Sequence, residues 1–193
     1  PANLIGIQQA QAFFPGVTQV AVFDTAFHQT LSPSAYLYGL PRELYDKYKI
    51  RRYGFHGTSH RYVAHAAAEF MKRSPDNTNL IVCHLGNGAS ICAISAGKSV
   101  DTSMGFTPLE GLVMGTRSGD IDPAILFYLM DRGYTDKQLN TMLNKESGVL
   151  GLSTISNDLR DVEAAAANGD NNAIEALDVY AHRIRHYIGA YHA

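Results

Sequence analysis

The sequence predicts a mixed α/β chain, and three observations carry that expectation. "LIVCHL" (80–85) is an apolar, β-branched run of strand length. "ASICAIS" and "KSVDTS" follow it about Ala96-Gly97, which reads as a hairpin. Ile174, Leu177, Ala181, Ile184, Ile188 and Tyr191 recur at three- and four-residue steps, the stripe of a core-facing helix. Strands and helices in mixed order make the class α/β or α+β.

The elements follow in order. Residues 3–14 read as the end of a helix closed by Pro15-Gly16. "QVAVFDTAF" (19–27) reads as a short buried strand ending near Asp24. Residues 32–50 are turn-rich, with Pro33, Gly39 and Pro41. A helix is expected over 59–73, with Thr58 or Ser59 as its N-cap. After the strands comes a glycine-rich loop, 103–119, then a helix starting near Asp120 with Pro123 in its first turn. Thr135 and Gln138 are spaced as a capping box for a helix over 136–146, with Gly148 marking its end. A further helix over 157–167 stops before Gly169, and no repeat or low-complexity linker interrupts the chain.

Composition narrows the function classes. Hydrophobic residues make up 46% of the 193, enough to bury a core, while charged residues are only 18%. A net charge of −2 argues against a broad nucleic-acid-binding or polybasic membrane surface. It still allows a small phosphate site, which needs one or two cations and oriented backbone N–H groups. Cys83 and Cys92 are too few for a disulfide framework, so reduced thiols and a cytoplasmic location are expected. No run approaches the ~20 apolar residues of a membrane span, and no signal-peptide pattern opens the chain. The chain begins at Pro1 and stops at Ala193 inside an apparent helix, so a piece of a longer polypeptide is expected.

Several short motifs carry chemistry. "HGTSH" (56–60) has two histidines four apart, which a zinc site would need on one helical face with a third ligand. The metalloprotease form, HExxH, has a glutamate that is missing here. Gly57 followed by two capping residues reads instead as a loop entering a helix. His56 then precedes the helix and His60 lies in its first turn, so the two are not expected to share a face. Capping or anion binding at the helix N-terminus is left. "CHLGNGAS" (83–90) runs a strand into Gly-Asn-Gly, either a hairpin turn or a backbone cradle for an anion. It is no dinucleotide fingerprint, since Ile91 stands where GxGxxG needs glycine. "GKS" (97–99) is no P-loop, since Cys92 stands where its first glycine belongs. Arg117, between Thr116 and Ser118, can reach out of its loop with a planar fork suited to phosphate or carboxylate, or be a surface arginine. Asp24, after an apolar run, is a place for chemistry or for simple capping.

Taken together, VFDTAFHQTL (22–31), RRYGFHGTSH (51–60), CHLGNGAS (83–90), VDTSMGFTPLEGLVMGTRSGDIDP (100–123) and SNDLR (156–160) resemble the acetokinase family. The segments lie in the family's order, and the resemblance covers essentially the whole chain. It implies an α/β, ribonuclease-H-like fold, shared with actin, sugar kinases and the large heat-shock chaperones. Two such domains close over ATP. Residues 1–27 would be the end of the N-terminal domain, and 28–193 most of the C-terminal nucleotide-binding domain. The implied reaction is ATP plus acetate giving ADP and acetyl phosphate, with Mg2+ accompanying the nucleotide and a homodimer as the full-length assembly.

On the family pattern, Asp24 matches the catalytic aspartate, and His56 and Arg117 the pair that stabilises the transition state. His84, Leu85, Gly86, Asn87 and Gly88 match an ATP-phosphate loop; Asp158, Leu159 and Arg160 match an adenosine-contacting stretch. Phe55 and Pro108 match walls of the pocket for the acid's methyl group. A carboxylate nucleophile is already ionised at neutral pH, so catalysis is mainly alignment and electrostatic stabilisation. Asp24 then positions, through Mg2+ or water, rather than attacks. Tyr62 and His65 read as packing or surface residues. The family's acid-binding arginine, later glycine-rich adenosine loop and magnesium-holding glutamate have no counterpart here, so the isolated chain is expected to be inactive. Propionate is the alternative substrate, although "GDIDPAI" after Arg117 favours acetate. A non-catalytic actin-like nucleotide-binding module is the alternative from another class.

Overall fold

The computed structural model describes residues 2–193. Its helices are α1 (Ala2–Phe13), α2 (Pro33–Tyr36), α3 (Arg42–Tyr48), α4 (Gly57–Phe70), α5 (Ala124–Met130), α6 (Asp136–Lys145), α7 (Gly148–Ser153), α8 (Leu159–Ala167) and α9 (Asn171–His192). Between α4 and α5 lies an antiparallel sheet in the order β1 (Asn79–Leu85), β2 (Ala89–Ser95), β3 (Lys98–Thr102). β1 and β2 pair from Asn79↔Ser95 to Leu85↔Ala89, so Gly86-Asn87-Gly88 is the turn between them. Ala96 (φ 47°) and Gly97 (φ 73°) are both left-handed, as a two-residue hairpin turn requires.

Side chains alternate across the sheet. Ala89 and Ile91 pack on one face with Met104, Leu112 and Met114, backed by Ile184, Tyr187 and Tyr191 of α9. Val82, Cys92 and Ile94 pack on the other face with Ala64 of α4 and with Phe27. Val113, Val149, Val162, Ala173 and Ala176 form a third cluster joining α7, α8 and α9. The result is helix–sheet–helix layering, which buries both faces of β2.

The capping box at Thr135 and Gln138 forms as the spacing predicts. Other expectations need correcting. Residues 17–23 are not a strand: Val20 and Phe23 are 79% and 69% exposed, and a 3-10 helix spans Ala26–Thr30. A strand needs a neighbouring ladder, and none of the described strands pairs with this segment. The turn-rich stretch 32–50 folds into α2 and α3.

α4 begins at Gly57, with His56 (φ 57°) in the N-cap position rather than Thr58 or Ser59, and ends at Phe70. Asp120 starts no helix. Its carboxylate accepts from Gly111 N (2.8 Å) and from Tyr187 Oη (2.5 Å), and α5 begins at Ala124 behind Pro123. Gly148 (φ 67°) does not end α6; it opens a further short helix, α7. Asp158 caps α8, which starts at Leu159 rather than 157. On α9 the inward face is Ala173, Ala176, Leu177, Ile184, Tyr187 and Tyr191, while Ile174 and Ile188 stay 40% and 38% exposed. Periodicity finds an apolar stripe, but close approach to α8 selects the small alanines.

Candidate active site

The site is built around the start of α4. Asp24 Oδ2 accepts from His56 N at 2.7 Å, and the Asp24 carbonyl accepts from Gly57 N at 2.8 Å. A Cβ on Gly57 would lie 2.3 Å from that carbonyl oxygen, so only glycine allows the approach. The exposed carboxylate sits where a helix N-terminus favours negative charge.

Four residues on, His28 is fully buried. Its Nε2 lies 2.9 Å from Phe55 O, which can only accept, so the ring proton sits on Nε2. Ser99 Oγ, 2.8 Å away, then donates to His28 Nδ1. Burial lowers the pKa of His28, which keeps it neutral at neutral pH. His28 thereby fixes the peptide that leads into His56.

Three more histidines gather there. The His56 ring stacks on His84, with centroids 4.1 Å apart. His84 Nδ1 is 2.8 Å from Ser59 Oγ. His56 Nδ1 and His60 Nε2 lie 2.9 and 2.8 Å from one hydroxyl, Ser90 Oγ. His56 and His60 therefore do meet, contrary to the expectation of separate faces. The helix starts at Gly57 and His56 is its N-cap, so four residues make one turn, and both rings face β2. Strand alternation aims His84 and Ser90 at α4, on the same side as Val82 and Cys92. Burial lowers the pKa of His60 to about 3. Burial, then His84, lowers that of His56; Asp24 opposes this and Arg117 adds to it. Both rings are neutral at neutral pH. Among the described residues, no group of three or more His, Cys, Asp or Glu is arranged to hold a metal ion.

Arg117 arrives from the loop between β3 and α5. Its Nη1 donates to Pro108 O at 3.3 Å. The Met114–Ser118 turn is strapped down by the α6–α7 corner: Ser147 N donates to Thr116 O, Val149 N to Met114 O and Leu150 N to Gly115 O. These are amides at the opening of α7, which have no partner inside the helix. A Cβ on Gly148 would lie 2.1 Å from Met114 O, so glycine is required at that corner.

Gly88 is where these parts converge. A Cβ placed there would lie 3.4 Å from His56 Nε2 and 3.7 Å from Arg117 Nη1. Two side-chain nitrogens thus lie within 4 Å of one point at the end of the Gly-Asn-Gly turn. Phe55 packs against the cluster of Met104 and Leu112, and Pro108 holds Arg117 through its carbonyl.

Beyond the turn opens a cavity of about 320 Å³ lined by Leu85, Gly86 and Asn87 together with Asp158 and Leu159. Gly115, Val149, Asn157 and Tyr180 complete the lining. Asn157 Nδ2 donates to Asn87 Oδ1 at 2.8 Å, joining turn and α8. His84 and Gly88 sit with His56 rather than in the cavity lining. Arg160 is turned out to pair with Asp158, 2.5 Å away, and that pair holds the Asp158 carboxyl down at about 2. Tyr62 and His65 are exposed.

Sequence reasoning missed His28, His60 and Ser90 as site residues, and Gly115, Val149, Asn157 and Tyr180 as cavity lining. One signal was available: His56, His60, Ala64 and Ala68 recur every four residues, and the last three are buried.

The Acetokinase family matches residues 1–193. The chain is 60% identical to an acetate kinase of Caldicellulosiruptor saccharolyticus over 194 aligned residues, covering 100% of this chain and 49% of that protein. Its fold superimposes on the crystal structure of Porphyromonas gingivalis acetate kinase with a TM-score of 0.96 at 50% identity, over 99% of this chain and 48% of the other. A propionate kinase from Francisella tularensis gives a TM-score of 0.95, also at 50% identity, over 99% and 49%. The chain spans about half the length of the curated relatives it matches.

Proposed function

The chain belongs to the acetokinase family, and from that premise we propose that the protein carrying it transfers the terminal phosphoryl group of ATP to acetate. The products are ADP and acetyl phosphate, and the reaction is reversible. The observation that carries this reading is the convergence of His56 Nε2 and Arg117 Nη1 on Gly88, beside a cavity long enough to extend toward Asp158.

The cavity between the Gly-Asn-Gly turn and α8 takes the nucleotide, with Leu85 to Gly88 at its phosphates and Asp158 and Leu159 toward adenosine. The carboxylate of acetate attacks in line and needs no base, since it is ionised at neutral pH. Arg117 clamps the equatorial oxygens of the phosphoryl group in flight, and neutral His56 donates to one of them. Such a preorganised donor is worth about 3–4 kcal/mol in the transition state. Phe55 and Pro108 wall the methyl pocket.

Asp24 is exposed, and its Oδ1 has no hydrogen-bond partner among the described residues. One carboxylate beside substrate phosphates fits the way Mg2+ is usually bound. Mg2+ accompanying ATP supplies charge neutralisation across the phosphates, and Asp24 would face it through water. Residues 1–27 belong to the end of the first domain and 28–193 to the second. The free thiols of Cys83 and Cys92 support a reducing, cytoplasmic setting, and the exposed apolar side chains of α5, Phe127 and Met130 among them, support a homodimer.

The test is ADP formation by the full-length protein with acetate and with propionate. An acetate preference of about tenfold or more in kcat/KM, about 1.4 kcal/mol, upholds acetate. Equal or better use of propionate moves the protein to the propionate kinases and reopens the pocket at Phe55 and Pro108. Arg117→Ala separates an enzyme from a nucleotide-binding module: kcat should fall by about 10³ or more while ATP affinity stays nearly unchanged.

A further inference from the structure

His60 carries an orphaned atom. The side chain is fully buried, its Nδ1 has no hydrogen-bond partner, and its Nε2 lies 2.8 Å from Ser90 Oγ. A neutral imidazole has one N–H and one lone pair. With the proton on Nδ1, a buried N–H would be stranded, which folded proteins tolerate less than a stranded acceptor. The proton therefore belongs on Nε2, where it donates to Ser90 Oγ. Ser90 has one hydroxyl proton, and the other atom within reach is His56 Nδ1 at 2.9 Å. The hydroxyl accepts from His60 and donates to His56. A donor aimed at His56 Nδ1 leaves that ring's proton on Nε2, the atom that a Cβ on Gly88 would touch first, with Arg117 Nη1 beside it.

We propose that His60 and Ser90 are positioning residues that hold His56 in its Nε2–H tautomer, so that the ring's single proton faces the transferred phosphoryl group. This rests on the phosphoryl-transfer reading above. The opposite tautomer would turn a lone pair toward an anionic group and forfeit the donor. His28 obeys the same logic one layer away: a serine hydroxyl on Nδ1, a fixed acceptor on Nε2. The lowered pKa values of His56 and His60 keep both rings neutral, as the chain of bonds requires.

The test is nitrogen-15 NMR of histidine-labelled full-length protein at about pH 7.5, where both rings are in their neutral form. His56 signals are assigned by their loss in His56→Gln. His56 and His60 should both show the Nε2–H pattern. Ser90→Ala should give His56 a mixed tautomer and lower kcat about 10–100-fold, with KM for ATP changed by less than about 3-fold. The amide nitrogen of His60→Gln can replace the Nε2 donor, so that variant should keep kcat within about 5-fold of wild type, while His60→Leu should match Ser90→Ala. An Nδ1–H pattern for wild-type His56 overturns the proposal. So does an unchanged His56 tautomer in Ser90→Ala, or equal kcat in the two His60 variants. If Ser90→Ala does not fold, the wild-type spectrum decides. If wild type forms no ADP with acetate, the function reading fails, and the spectrum still decides the tautomer.

Discussion

Gly88→Ala should separate catalysis from stability. Gly88 is not in the left-handed region, so alanine meets no backbone strain. Its methyl would lie 3.4 Å from His56 Nε2, 3.6 Å from His56 Cε1 and 3.7 Å from Arg117 Nη1. These are van der Waals contacts, so nothing has to move. Restricting the unfolded chain at a compatible glycine stabilises by about 0.4–1 kcal/mol. The melting temperature of the full-length protein should therefore hold or rise by a few degrees. Catalysis should fare differently. A phosphoryl oxygen must come within about 2.7–3.1 Å of a donor, and a methyl in contact with both donors occupies that approach. Losing one such donor costs about 10²–10³ in kcat, about 2.7–4 kcal/mol. With two obstructed, kcat/KM for acetate should fall by at least about 10³. ADP formation and thermal unfolding, measured on the same preparation, check both halves. Activity within about 3-fold of wild type would refute the placement of the phosphoryl group. A fall of more than about 10 °C in melting temperature would show that the space at Gly88 is not open.

Three further outcomes are expected. Gly54→Ala combines a φ of +74° with a Cβ 2.6 Å from the His28 ring and from Thr102 Cγ2, so denaturant titration should show a loss of more than about 3 kcal/mol. Gly115→Ala would place a Cβ 2.0 Å from Asn87 Oδ1 and break the bond from Asn157, so KM for ATP should rise about tenfold while the fold survives. His60 titrates near 6.5 when unfolded but at about 3 when folded, so below pH 6.5 the unfolded state binds more protons. Its contribution is complete above pH 6.5 and drains away down to pH 3. Between pH 7 and 4.5 the loss of unfolding free energy should be about 2–3 kcal/mol smaller in His60→Gln than in wild type, the remainder coming from His28 and His56.

Local signals were legible before any folding was considered. The Thr135–Gln138 capping box, the Ala96-Gly97 turn and the strand at 80–85 each depend on a few neighbouring residues, and the structure contains all three. The glycine turn, Arg117 and His56 were legible as separate segments. The errors share a cause. "QVAVFDTAF" has strand composition, yet no described strand pairs with it. Gly148 looks like a helix stop, but its positive φ and close approach to Met114 O make it the start of α7. Ile174 and Ile188 fit the stripe of α9, but the face that packs is chosen by Ala173 and Ala176.

By itself, the sequence determined the hairpin, the capping box and the segments that hold the candidate site residues, because caps, turns and periodicity act over one or two turns of chain. Tertiary structure alone decided that Ser90, 34 residues from His56, would bridge it to His60, and that Asn157 would reach Asn87 across 70 residues. It also decided that the α6–α7 corner would hold the Arg117 turn. Those contacts arise where layers pack and buried polar groups must find partners, and no local signal specifies which distant atom that partner will be.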